Sequence, residues 1–124
     1  MLQNILYVSI GAILGGIARF LISHYSNLAT RGHWFPWGTF IVNIVGCLII
    51  GYVLTWAPDR AHDHWRLFAA TGFCGALTTF STFSYESLEL VRAGRVTAFA
   101  TNVLLTNVLC FLAVIIGVRL HQSR

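Results

Sequence analysis

The sequence predicts an all-α integral membrane fold of four transmembrane helices. Three observations carry this. The chain of 124 residues is 56% hydrophobic and only 10% charged, with a mean hydropathy of +0.72. A soluble domain of that size lacks the interior volume for so much apolar side chain. The apolar residues gather into four runs long enough to cross a bilayer. All four tryptophans, Trp34, Trp37, Trp56 and Trp65, stand at the ends of those runs, where an aromatic belt meets the headgroups. One domain, residues 1–124, is the expectation at this length. The net charge of +4 comes from eight arginines and no lysine. They are spread along the chain rather than clustered, which points to headgroups and topology and away from nucleic acid.

The first span runs from about Leu2 to Tyr25. No basic segment precedes it and its apolar run is too long for a cleavable signal. Gly11 and Gly15 are four apart, as are Ala12 and Gly16, so small residues share a face suited to close helix packing. Arg19 lies well inside the span. It reads either as an arginine reaching to the nearer interface or as a fixed positive charge beside an anion path. Ser26 to Pro36 is a polar loop.

The second span covers about Trp37 to Trp56. Gly38, Thr39, Asn43 and Gly46 fall on one helical face. Asn43 needs a partner at that depth: it is interhelical glue or an amide donor to a permeating anion. The connection from Ala57 to His64 carries Asp59, His62, Asp63 and His64, a set too small and too loop-bound for a metal site. A solvated connection is the reading there.

The third span, about Trp65 to Val91, holds the most unusual stretch, Gly72 to Glu86. Two glycines and then Thr78, Thr79, Ser81, Thr82 and Ser84 are poor helix formers. A loosened backbone in a bilayer is tolerated only where protein or a wet cavity satisfies it. The stretch therefore reads as a helix broken in mid-membrane that lines a polar path, with a hydroxyl-bonded packing helix as the plainer alternative. Phe80 and Phe83 sit three apart within the hydroxyl run. Glu89 can pair with Arg92, and Glu86 lies deeper.

Arg92 to Arg95 is a tight turn around Gly94. The fourth span runs from about Val96 to Leu120, where Asn102, Thr106 and Cys110 form one stripe, either a packing seam or a further wall of the path. Cys47, Cys74 and Cys110 lie singly in three spans. An odd count without paired spacing argues against a disulfide framework or zinc site, so they read as small buried hydrophobes.

Four spans put the N-terminus, the 57–64 loop and the C-terminus on one side. That side holds Arg60, Arg66, Arg119 and Arg124, against Arg31, Arg92 and Arg95 on the other. So weak a bias lets a chain insert either way round, and opposed copies can then pair as inverted repeats do. No nucleophile with a base, phosphate loop or metal-ligand spacing indicates an enzyme. The span inventory of hydroxyls, amides and ring edges suits a small anion.

Over its whole length the chain resembles the Fluc (CrcB) fluoride channels of microbes. The matching features are the Gly15-Gly16 pair with Arg19, the run Gly38-Thr39-Phe40-x-Val42-Asn43-x-x-Gly46, and Gly72 to Glu86. The resemblance implies an antiparallel, dual-topology homodimer in the bacterial inner membrane. Its two pores would release fluoride passively and protect the cell from it. Phe80 and Phe83 match the pore phenylalanines and Asn43 the pore asparagine. Ser81 and Thr82 match the hydroxyl track, with Thr39 and Glu86 beyond it, and Thr106 lies on the matching polar stripe. Backbone carbonyls of Gly75 and Thr78 match a structural Na⁺ site at the dimer centre. A small dual-topology multidrug exporter is the alternative. It needs a membrane-buried carboxylate; the first span has none, and Glu86 is the single deep candidate. A haem-binding anchor using His24 would want a second deep histidine, which the spans lack.

Overall fold

The computed structural model describes residues 1–56 and 64–123, and among them all regular structure is helical. We label the helices α1 (Leu2–Ala29), α2 (Trp37–Trp56), α3 (residues 64–77), α4 (Phe80–Arg92) and α5 (Val96–Gln122). Three of them, α1, α2 and α5, are long and apolar enough to cross a membrane. The shortest, α2, extends about 30 Å at 1.5 Å per residue, matching a hydrocarbon core. The third expected span is shared between α3 and α4, neither of which reaches that length.

The ends follow from local chemistry. The first helix runs past Tyr25 to Ala29 because no Gly or Pro follows Tyr25 until Gly32, which sits at φ 88°. The Thr30 hydroxyl donates back to the Ser26 carbonyl at 2.7 Å. Pro36 precedes α2 and its carbonyl accepts from the Phe40 amide at 3.1 Å. The turn after α4 is a Schellman motif: Gly94, at φ 73°, donates to Val91, and Arg95 donates to Leu90, both at 2.9 Å. The ion pair expected at Glu89–Arg92 forms at 3.0 Å on the exposed face. Asp59, Arg60, His62, Asp63 and Arg124 lie outside the described residues. His64 opens α3, its ring stacked on Tyr7 at 4.4 Å.

Small residues set the helix spacing. A Cβ on Gly11 would strike the Phe68 carbonyl, and one on Gly15 the Phe73 carbonyl. Gly72 is equally closed off by Val8. So α1 lies backbone to backbone against α3, through the glycine face read from sequence. There, Leu67–Cys74 is wound as a π-helix, a wider and rarer turn than the α-helix. Between α2 and α5 the same device recurs, with Gly51 against the Val114 carbonyl and Gly117 against that of Leu48. Val53, Ala69 and Ala70 form a buried cluster with Ile49, Ile50, Leu54 and Phe68 around it. The outside is apolar: Ile13, Ile17, Leu104 and Ile116 are all exposed. That surface and the long apolar helices describe a multi-pass membrane protein.

Neighbouring glycines should therefore respond differently. Gly15→Ala forces a backbone shift and is expected to cost about 1–3 kcal/mol. Gly16→Ala enters open space and is expected to stay within about 0.5 kcal/mol. Thermal unfolding of the two variants in detergent checks this; equal melting temperatures would contradict the packing.

Candidate functional site

The site is built on the join between α3 and α4. The last turn of α3 ends at Leu77, and Thr78 (φ −83°, ψ 156°) and Thr79 (φ −151°, ψ 114°) are extended. Halfway between Trp65 and Val91, two residues thus leave the helical ladder, and their backbone groups need other partners. Asn43 of α2 supplies them for Thr79. Its Oδ1 accepts from the Thr79 amide at 2.8 Å and its Nδ2 donates to the Thr79 carbonyl at 3.3 Å. Asn43 is buried, so the side chain acts as a bracket in place of the missing turn. This is the glue reading of Asn43, and it leaves the second amide hydrogen of Nδ2 free to donate.

Thr79 then caps α4. Its Oγ1 accepts from the Thr82 amide at 3.2 Å and donates to Thr82 Oγ1 at 3.0 Å; Ser81 Oγ lies 3.2 Å away. A capping hydroxyl of this kind satisfies one of the open amides of a helix start. The positive end of the α4 dipole is directed at the break.

Two carbonyls lose their ordinary donors through these bonds. Gly75 would be bonded by the Thr79 amide, which goes to Asn43. Thr78 would be bonded by the Thr82 amide, which goes to Thr79 Oγ1. These are the two residues that the resemblance assigns to a cation. The chemistry fits: displaced carbonyl oxygens are hard donors, and Gly75 is exposed at the surface of the single chain.

Two grooves meet at Thr79, which lines both. One, of about 450 Å³, is lined by Arg19, Thr39, Thr82, Glu86, Phe20 and His24 among others. Thr39 and the Glu86 carboxyl share this groove, and Glu86 Oε2 is buried without a hydrogen-bond partner. The other groove, of about 490 Å³ between α2, α3 and α5, contains Asn43, Gly75, Thr78, Phe80, Phe83 and Thr106. The fold therefore gathers Arg19, Thr39, Thr82 and Glu86 on one side of the bracket, and both phenylalanines with Thr106 on the other. Ser81 stands at the cap between them. The phenylalanine rings are 5.7 Å apart and tilted by 42°. They do not share an environment: Phe83 is 8% exposed and Phe80 78%.

The α5 stripe divides. Asn102 is buried and donates to Ser87 Oγ at 3.0 Å while accepting from Thr106 at 3.3 Å. It is a seam residue between α4 and α5, whereas Thr106 and Cys110 also line the second groove. Sequence reading placed Thr79 in the unusual stretch without a role of its own and overlooked Ser87. Thr79 had a signal, a Thr three residues before another Thr at the start of a helix; Ser87 had none.

Residues 6–118 match the model of the family described as CrcB-like protein, Camphor Resistance (CrcB). The chain belongs to the CrcB family. Curated relatives agree along nearly the full length. It is 42% identical to the fluoride-specific ion channel FluC of Koribacter versatilis, over 92% of this chain and 91% of that one. It is 42% identical to the protein of the same name from Campylobacter lari, over 94% and 96%. Against that from Shewanella amazonensis it is 38% identical over 99% of each. This CrcB chain carries its polar groups at the α3–α4 break and its two grooves.

The bracket should be measurable by itself. Asn43→Ala leaves the Thr79 amide and carbonyl unpaired and is expected to cost about 1–3 kcal/mol. It should also speed hydrogen exchange in the peptide spanning residues 78–82. Exchange there at the wild-type rate would rule the bracket out.

Proposed function

We propose that the chain is a fluoride-selective channel that lets fluoride leave the cell passively, protecting it from the ion's toxicity. The observation that carries this is the break at Thr78–Thr79, where two grooves meet at the start of a helix, in a chain about 40% identical to fluoride-specific channels. The groove holding Arg19, Thr39, Thr82 and Glu86 is the mouth, and Arg19 attracts the anion there. Along this path the hydroxyls of Thr82 in the mouth and Ser81 at the cap, the free Asn43 amide hydrogen, and the Thr106 hydroxyl once it turns from Asn102 replace hydration that fluoride gives up. Phe80 and Phe83 present their partly positive ring edges. The α4 dipole adds favourable potential without a fixed cation that would trap the ion.

The working unit is an antiparallel homodimer in the bacterial inner membrane, with two pores. The exposed face supports it: Thr71, Gly75, Phe80 and Asn107 are uncovered around the second groove. Bare polar groups there are costly in lipid and a second copy would cover them. The third span is then one helix broken in mid-membrane. The Gly75 and Thr78 carbonyls of both copies hold a structural Na⁺ at the centre, where its charge offsets oxygens that have lost their amide donors.

In proteoliposomes, an ion electrode should record rapid fluoride efflux and little chloride efflux. Phe80→Ile and Phe83→Ile are expected to lower fluoride efflux by about tenfold or more, equivalent to about 1.4 kcal/mol on the barrier. Stability should change by less than about 1.5 kcal/mol, with the dimer intact on gel filtration. Wild-type efflux from both would reduce the rings to packing. A reporter at the C-terminus should be active on both sides of the membrane, and exchanging Na⁺ for a bulky organic cation should weaken the dimer. A one-sided reporter excludes dual topology; a dimer indifferent to the exchange excludes the Na⁺ site.

A further inference from the structure

Three thiols that the sequence scatters over separate segments meet in one groove. Cys47, Cys74 and Cys110 all line the space between α2, α3 and α5, and all are free. Helix register brings two of them face to face. Gly51 abuts the Val114 carbonyl, and Gly117 abuts Leu48 and Tyr52, so α2 and α5 lie against each other at glycine spacing. One turn before Gly51 is Cys47; one turn before Val114 is Cys110. The Cys110 and Cys47 thiols are therefore neighbours across the α2–α5 contact. Both are half-buried and open to the groove, whereas Cys74 is 1% exposed. Among the described residues no three His, Cys, Asp or Glu side chains converge as a ligand set. The described residues therefore do not supply the four ligands of a tetrahedral zinc site.

We propose that Cys47 and Cys110 form a two-thiol site for a soft divalent metal ion of linear coordination, the class represented by Hg²⁺. Sulfur ligands select soft ions. Charge selects the valence: a divalent ion with two thiolates is neutral, while a soft monovalent ion would leave a net negative charge in apolar surroundings, which is costly. Mercuric chloride enters the groove as a neutral molecule. Two S–H bonds break and two S–Hg bonds form; two protons leave with two chlorides, and nothing is oxidised or reduced. The bridge ties α2 to α5 one turn from Asn43 and Thr106 and obstructs the groove that holds Phe83. That obstruction rests on the channel reading; the binding does not.

The test uses the purified full-length protein titrated with mercuric chloride, with remaining thiols counted by maleimide labelling and peptide mass spectrometry. One equivalent of mercury per chain should protect Cys47 and Cys110 together and leave Cys74 to the label. Cys47→Ser and Cys110→Ser should each lose one protected thiol per metal, and Cys74→Ser should keep both. Cys47→Ala and Cys110→Ala repeat the test should either serine variant fold poorly. Protection of one thiol per mercury in the wild type, or of a pair that includes Cys74, would overturn the proposal. In proteoliposomes mercury should lower fluoride efflux by about tenfold or more in the wild type, and by a smaller factor in Cys47→Ser than in Cys74→Ser. Paired protection without fluoride efflux in the untreated protein leaves the site standing and removes the channel reading. Fluoride efflux without paired protection does the reverse.

Discussion

Backbone hydrogen bonding is the constraint on which the structure turns. A chain that crosses lipid must satisfy every amide and carbonyl within itself. Here the ladder is interrupted at Thr78–Thr79, and a side chain from another helix closes the gap. Asn43 matches a peptide group in shape and in donor–acceptor order, so it bonds Thr79 as a neighbouring strand would. Its two bonds redirect the Thr79 amide from Gly75. The Thr79 hydroxyl in turn redirects the Thr82 amide from Thr78. The displaced carbonyls, the open start of α4 and the meeting of the two grooves all follow from this one pairing.

Close packing gives the break its surroundings. At Gly46 a Cβ would collide with the Thr78 methyl group, so the second helix carries a notch where the extended pair passes. On the other side, Gly11, Gly15 and Gly72 press α1 against the π-wound part of α3. Close contact of backbones in these places leaves the side-chain space elsewhere. The grooves open along the faces bearing hydroxyls and thiols.

Much of this was legible in the sequence because membrane chemistry is strict. Apolar run length and the tryptophan positions located the helices, and the Gly11–Gly15 spacing identified the face that α1 presents. The poor helix formers after Gly72 marked the unusual stretch. Pairings between helices were not legible, since they depend on rotation and depth rather than on spacing. Asn43 was left between two roles because its partner is a main-chain group, and one polar group in a stripe looks like another. The equal spacing of Asn102, Thr106 and Cys110 hid a division of labour that only the neighbouring Ser87 reveals. Cys47, Cys74 and Cys110 were read as isolated because each belongs to a different helix. Phe80 and Phe83 stand only three apart in the hydroxyl run, but the capped start of α4 exposes one ring and buries the other.

The bracket also bears on how the chain is made. Asn43 precedes Thr79 by 36 residues, so it leaves the ribosome first. The segment from His64 to Arg92 is too interrupted to be a self-sufficient hairpin arm or an independent insertion unit. Its backbone is completed on meeting α2, which already carries the Asn43 side chain. The order of synthesis therefore supplies the template before the segment that needs it, and the unpaired peptide is exposed for the shortest part of biogenesis.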